Sequence, residues 1–564
     1  MLRSNGMRPA FATVGARDSR IGKRADNNAK FRMTNDDDEL GNYANLPGET
    51  RRSNPNRQPP KKREEKQIEI PLSTLVTAVV ILAVLVLTII IIAGVSSSGK
   101  DIRFSDDAYA LYFDSENNVC ISVNGKALDA TFEGEISLRE AKDRSFAYIE
   151  ESSGDRHNVY ILNGKTMEQV NISPVNVLAY CDFTPAVVYE YGGDVYLYTE
   201  KHGEEIITSN ETALKFKFAI SGDGNTVVYN ETDISNGNKV YMYAFTSGKI
   251  SEKAAIGCYP AFDNINSVSP VSYDGSYIYC YGYTKNEAQK KLYVVDVDDN
   301  YTKTPVGEGV FGGITAMNKN GDEIIYYTVK DKENTSHIYS AKKEVSYVIA
   351  NGFFRPVSID PEIACFKTFK GAYLQSSSTQ KESATYSLNN KYIPTKIASF
   401  VGTFDPRGDY FYYINEEKTL IQIDLNDKKL TANRILSDVS DYAITQKGNL
   451  YILDADSTLR YYETGENKKS PISMSVSEIS MYHYSNTLYF SESDSVAIYS
   501  TKEGSSKDSV EFNKTAIKGL PEFMNPNSSH TYVTVLDEDA GLGLFYTSNG
   551  RKFKAISSDC KLSD

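Results

Sequence analysis

Histidine, cysteine and tryptophan are scarce in this chain, and each shortage closes a chemical route. Five histidines, His157, His202, His337, His483 and His530, lie scattered with no H-E-x-x-H pair, so zinc hydrolase chemistry has no visible site. Six cysteines, Cys120, Cys181, Cys258, Cys280, Cys365 and Cys560, form no C-x-x-C pair and no zinc spacing. An oxidising compartment would permit disulfides, with Cys258 and Cys280 the nearest in sequence, but buried thiols are the plainer reading. No G-x-S-x-G elbow, Walker A loop or dinucleotide G-x-G-x-x-G occurs. An enzyme is therefore not expected, and no cofactor is implied. Tryptophan is absent altogether, whereas 41 Tyr far outnumber 24 Phe. Tyrosine favours strands and joins an apolar ring to a polar tip, which suits sheets with one wet edge.

Long apolar runs are also rare, with one exception. Leu75 to Val95 is apolar apart from Thr77 and Thr88, and no charge lies between Glu69 and Lys100. At ~1.5 Å per residue such a helix is about 31 Å long, the thickness of a hydrocarbon core. It is expected to cross a membrane once, as an uncleaved signal anchor, because a cleaved signal would sit at the start of the chain. Arg57, Lys61, Lys62, Arg63 and Lys66 precede it closely, whereas only Lys100 and Arg103 follow. That asymmetry places the N-terminus in the cytoplasm.

Four segments result. Residues 1–74 form a disordered basic cytoplasmic tail, 75–95 the transmembrane helix, 96–104 a stalk and 105–564 an extracytoplasmic region. The tail lacks the apolar content that offsets the entropy of ordering. Its membrane-proximal cations Lys61, Lys62, Arg63 and Lys66 suit anionic headgroups. Thr34, between Arg32 and the acidic run 35–39, is a phosphorylation or docking candidate for a cytoplasmic partner. Residues 1–74 carry net charge +5, which leaves −18 for the remainder. So acidic an exterior disfavours nucleic acid, whose binding rests on Lys and Arg meeting phosphates.

Beyond the stalk the chain repeats itself. The segments 216–231, 269–283, 314–329, 401–415 and 442–454 each join a short apolar run to a β-branched and aromatic run through a polar turn. The turn glycines are Gly224, Gly275, Gly321, Gly408 and Gly448. Such turns predict hairpins. A further strand follows each, and weaker copies begin near Arg144, Pro185, Pro361 and Asn486. The spacing, roughly 38 to 51 residues, is that of a four-stranded propeller blade. The length predicts about eleven such units, too many for one ordinary propeller of four to eight blades. The fold expected is all-β: one large or two consecutive β-propellers, two in series being favoured.

Ser221, Asp223, Gly224 and Tyr229 in one copy, and Asp405, Pro406, Gly408 and Tyr413 in another, resemble the motif of TolB-like, or PD40, repeats, a WD40-like propeller class. Its blades carry S-P-D-G-x-x-I-A-Y and then an L-Y-x-x-D strand. Most copies here lack the Pro. The resemblance implies a propeller that binds partners or supports another domain, and implies no catalysis.

Acidic turns are the remaining place for chemistry. Asp296, Asp298 and Asp299 cluster oxygen atoms of the kind calcium prefers, though without EF-hand spacing. Asp and Asn are also ordinary in turns. Arg407, Gly408 and Asp409 spell RGD at a hairpin tip, and sequons occur at Asn171, Asn210, Asn230, Asn334, Asn513 and Asn527. The function expected is a membrane-anchored extracytoplasmic module that binds or scaffolds a protein or a cell-envelope polymer, with ligand sensing a close variant. A propeller enzyme acting on carbohydrate or peptide is the alternative.

Overall fold

Antiparallel hairpins repeat along the whole of the described region. The computed structural model describes residues 100–564 except 114–117, 172, 236–238, 249–251, 257, 261–267, 283–289, 331–332, 377–382, 496, 511–518, 538–540 and 561–564. The tail with its basic cluster and the run Leu75 to Val95 lie outside the described residues. Among the described residues, no helix is long and apolar enough to cross a membrane. The described chain is all-β.

Its strands group into eleven consecutive antiparallel units: sheet 1 (109–127), sheet 2 (136–169), sheet 3 (176–208), sheet 4 (219–256), sheet 5 (from 258), sheet 6 (to 351), sheet 7 (354–398), sheet 8 (403–436), sheet 9 (439–474), sheet 10 (476–510) and sheet 11 (521–560). In each the strands follow in chain order, a simple meander. Sheets 5 and 6 share the strand Thr302–Met317, which ends one unit and begins the next. The count agrees with the eleven units expected from length.

Each sheet buries both faces, because alternate side chains of a strand point opposite ways. In the second strand of sheet 3, Val187 and Tyr189 pack toward sheet 2, while Ala186 and Val188 pack toward sheet 4. Eleven apolar clusters fill the eleven seams between successive sheets. The last joins Tyr532 and Leu544 of sheet 11 to Ala110 and Tyr112 of sheet 1. The packing order thus returns to its start, in a propeller-like succession of open sheets.

Two cavities interrupt this succession. Inner strands of sheets 2 to 7 surround one, and sheets 7 to 11 line the other. The two-in-series expectation therefore finds a partial counterpart, two rings of sheets, but without a break in packing between them. The seam is made by residues 102–105. Ile102 and Arg103 pair with Cys365 and Ile363, Phe104 N donates to Glu362 O (2.7 Å), and Ser105 N donates to Asp143 O (2.5 Å). Residues 102–105, of which the sequence assigns 102–104 to the stalk, thereby tie sheet 7 to sheet 2 and complete the ring around the first cavity. The unit that the sequence started near Pro361 is accordingly split. Its strand Ile363–Cys365 pairs with the N-terminal segment, and the sheet 7 hairpin pairs Phe354–Val357 with Tyr373–Ser376.

Tyrosine does a different job from the one its abundance suggested. The twelve largest fully buried side chains are all Tyr. Several of their hydroxyls reach the next sheet's turn and do not seek a wet edge: Tyr148 donates to Cys181 O (2.9 Å), Tyr279 to Gly321 O (2.6 Å) and Tyr482 to Ser528 O (2.8 Å). A phenylalanine could fill the same seam, but it would leave a buried carbonyl unmet.

Candidate functional site in the larger cavity

One recurrent turn builds the wall of the first cavity. In sheets 4 to 6 its first residue is polar and buried, Ser221, Ser272 or Asn318, as are Asp405 and Thr445 in sheets 8 and 9, whereas sheets 2 and 3 carry buried Ala141 and Cys181 there. The polar residue's side-chain oxygen accepts the backbone N–H four or five residues on, as from Thr226 to Ser221 (2.9 Å), Glu323 to Asn318 (3.0 Å) and Tyr410 to Asp405 (2.7 Å). The carbonyl of the same residue accepts from the glycine three residues on, as from Gly321 to Asn318 (3.0 Å). At Gly321 φ is +70°, and an added Cβ would overlap Ser272 of the preceding sheet, so both backbone and spacing require glycine there. Sheet 2 meets the same demand with Arg144, at φ +60°.

The second residue of the turn faces the cavity, and apart from Gly222, where an added Cβ would overlap Tyr273, it is free of the glycine requirement. In successive sheets it is Lys142, Asp182, Gly222, Tyr273 and Lys319, all of which line the space. This is the position at which the repeat motif carries proline and most copies here do not. Backbone bonds fix it in pairs of sheets: Lys142 N donates to Asp182 O, Asp223 N to Tyr273 O and Lys319 N to Phe366 O, each at 2.7 Å.

The cavity holds about 530 Å³, within the range of small-ligand sites. Its described lining carries four cations, Arg139, Lys142, Lys217 and Lys319, against one carboxylate, Asp182. Asp182 pairs with Arg139 (3.0 Å) and Lys142 (3.0 Å). Each of three cations lies over an aromatic ring: Arg139 over Tyr180 (5.2 Å to the centroid), Lys142 over Phe183 (5.8 Å) and Lys319 over Tyr273 (5.4 Å). Phe183 and Tyr273 touch at 6.0 Å between centroids, tilted by 57°. Cys365 at the wall and Cys181 behind it are thiols that burial pushes up to about 11, which keeps them protonated and poor nucleophiles.

No family model and no curated protein matches the sequence. Among solved structures the chain is similar to the tricorn protease, with 10% identity over 80% of this chain and 58% of that one, TM-score 0.28. It is also similar to TolB from Acinetobacter baumannii (13% identity, 43% of this chain and 62% of that one, TM-score 0.25). A third is a post-proline cleaving enzyme from Rickettsia typhi (9% identity, 51% and 52%, TM-score 0.30). At these values the likenesses assign no activity.

The residues singled out from sequence fall elsewhere. Asp296, Asp298 and Asp299 sit in a turn of sheet 5, where Asp296 Oδ1 accepts the N–H of both Asp298 and Asp299 (3.1 Å each). The carboxylate thus has a backbone role, and among the described residues no three His, Cys, Asp or Glu side chains converge as a metal site would require. Arg407 of the RGD tripeptide folds back onto Asp405 (3.2 Å) and Asp409 (3.6 Å). Asn171 and Asn230 are buried, so these two sequons are closed in the folded chain. Sequence reasoning missed the cavity residues. The signal was there in the departures from proline at one position of the repeat.

Proposed function

We propose that this chain is a membrane-anchored, extracytoplasmic binding module of β-propeller, TolB-like architecture that takes its ligand in the cavity ringed by sheets 2 to 7. One observation carries the reading. The second position of the turns at the cavity wall holds Lys142, Asp182, Gly222, Tyr273 and Lys319 in successive sheets, so one position of the repeat brings different side chains to one space. A scaffold in which one position per sheet changes its side chain, all converging, is how a binding site is written onto a repeat. The apolar run 75–95 and the cations before it support the anchor and its orientation. Ligand sensing would run through clustering, since a single helix transmits conformation poorly.

The enzyme alternative calls for acid and base groups poised near neutrality, such as a pair of carboxylates for glycoside hydrolysis. Asp182 is the one carboxylate in the described lining and is held by two cations, which favours binding over catalysis. The test is capture of ligand from the source cell's envelope by the full chain and by a Lys142→Glu/Lys319→Glu variant with unchanged melting. Loss of capture in the variant supports the reading, and equal capture refutes it. Protease added to intact cells should digest the C-terminal region, and full protection there would refute the orientation.

A further inference from the structure

The larger cavity combines two features that seldom meet by accident in an acidic domain. Four of its lining residues are cations against a single carboxylate, while residues 75–564 carry net charge −18. Local positive charge in a concave, partly apolar site concentrates anions there even when the whole molecule repels them. Nearby carboxylates are engaged in hydrogen bonds of their own. Asp143 accepts from Ser145 (2.7 Å), Asp223 from Asn225 (3.0 Å), and the Asp101 side chain from the backbone N–H of Lys367 (2.5 Å).

The second feature is the aromatic wall. Phe183 and Tyr273 meet at 57°, so they form a wedge and not a pair of parallel plates. A planar base sandwiched between two rings needs parallel faces with room between them, and these rings already touch. A puckered ring with one apolar C–H face and polar groups around its edge can lie against such a wedge. From there its edge reaches the ammonium groups that flank the two rings, Lys142 and Lys319.

We infer that the cavity takes an anionic sugar, a saccharide unit bearing a carboxylate or a phosphate, with its ring against Phe183 and Tyr273 and its acid group toward Lys319, Lys217 and Lys142. This inference rests on the cavity being the binding site. It adds the ligand's chemistry: charge to meet the cations, and a non-planar ring to meet the wedge. Free sugar acids and the units of an acidic polysaccharide share that chemistry.

Calorimetric titration of the purified full chain tests it. The probes are galacturonate, trigalacturonate and glucose 6-phosphate as acidic sugars, glucose and maltotriose as neutral ones, adenosine monophosphate as a planar anion, and a tetraglutamate peptide. At least one acidic sugar should bind at least tenfold more tightly than its neutral counterpart, the nucleotide and the peptide, and more weakly as salt rises. Tighter binding of trigalacturonate than galacturonate identifies a polymer as the source, and equal binding a free sugar acid; either supports the inference. Lys319→Gln and Lys142→Gln should each weaken binding about tenfold and Tyr273→Ala about fivefold, while Lys447→Gln, on the outer surface, changes nothing. Melting curves check that each variant is folded, and either Lys variant alone suffices. Equal binding of neutral sugars, tighter binding of the nucleotide or the peptide, or no binding of any acidic sugar overturns the inference. Where these fail but envelope ligand is still captured by the wild type and lost in the Lys142→Glu/Lys319→Glu variant, the ligand class is wrong and the site stands. Where that capture is also insensitive to the variant, both readings fall.

Discussion

Two cavities among the described residues are ringed by the same kind of sheet and closed by the same kind of turn, yet they differ in chemistry. The first, of about 530 Å³, has four lining cations and an aromatic wedge. The second, of about 450 Å³, has among its described lining residues no Lys or Arg, one carboxylate (Asp441), and apolar groups such as Ile359, Phe404, Ile479 and Met481. Burial holds the pKa of His483 there below its ordinary value, so it stays neutral to lower pH. The same turn position that holds Lys142, Tyr273 and Lys319 in one ring holds Pro406 in the other. Architecture and chemistry are therefore separable: the first and fourth turn positions build the ring, and the second decides what the cavity offers.

If that separation is right, damage to the building positions should scale with local packing and ignore the cavity's chemistry. Gly321→Ala puts a Cβ into Ser272 at a φ of +70°, whereas at Gly408 (φ +76°) the Cβ meets only the end of a flexible side chain, Ile359 Cδ1, at 3.0 Å. Chemical denaturation should give a loss of about 3 kcal/mol for the first and about 1 to 2 kcal/mol for the second. Equal losses would mean that spacing between sheets adds nothing beyond the backbone strain.

The seam between the rings carries a pH signature. Glu140 lies beside Arg139 on the strand and close to Tyr109 and Arg144, and burial pushes its carboxyl up to about 7 from an unfolded value near 4.5, with Arg144 opposing. The folded state holds this proton more tightly than the unfolded state. The group's stabilising contribution is thus full below pH 4.5, lost as pH rises toward 7, and absent above. Glu140→Gln should leave melting unchanged at pH 4 and raise stability at pH 8 by up to about 3 kcal/mol. A variant less stable than wild type at pH 8 would show that the carboxylate is needed at the seam.

Smaller effects test the sameness of the scaffold. Tyr279→Phe in the first ring and Tyr482→Phe in the second each remove one buried hydrogen bond to a neighbouring turn carbonyl. Each should cost about 1 to 2 kcal/mol, with apolar packing kept. A large difference between the two would break the equivalence of the rings. Arg103→Ala should have the least effect. Its ion pair with Asp360 (2.5 Å) is exposed, and the seam is held by backbone pairing, so the melting temperature should not move measurably.

Much of the scaffold was legible in the sequence because it is local. Gly224, Gly275, Gly321, Gly408 and Gly448 marked turns that all have positive φ, and the roughly forty-residue spacing gave the number of sheets. What stayed hidden depends on closure. The pairing of Ile102 with Cys365 spans more than half of the described chain, and nothing in a two-residue strand announces its partner. Lys142, Asp182, Tyr273 and Lys319 are one residue per sheet, dispersed over nearly two hundred positions, and they become a site only when the inner strands converge. Asp296, Asp298 and Asp299 drew notice because they are neighbours in sequence, but neighbouring acids in a turn serve the turn's own backbone. The tyrosines misled for a related reason: a polar tip suggests solvent until the next sheet supplies a carbonyl.

The absence of tryptophan allows the contrast between the cavities to be read directly. Tyr273→Trp and Phe404→Trp each place a single indole in one cavity, and the account predicts that an acidic sugar changes the emission of the first in a saturable, salt-sensitive way while leaving the second unaltered. An equal response in both, or a response only at position 404, would contradict it.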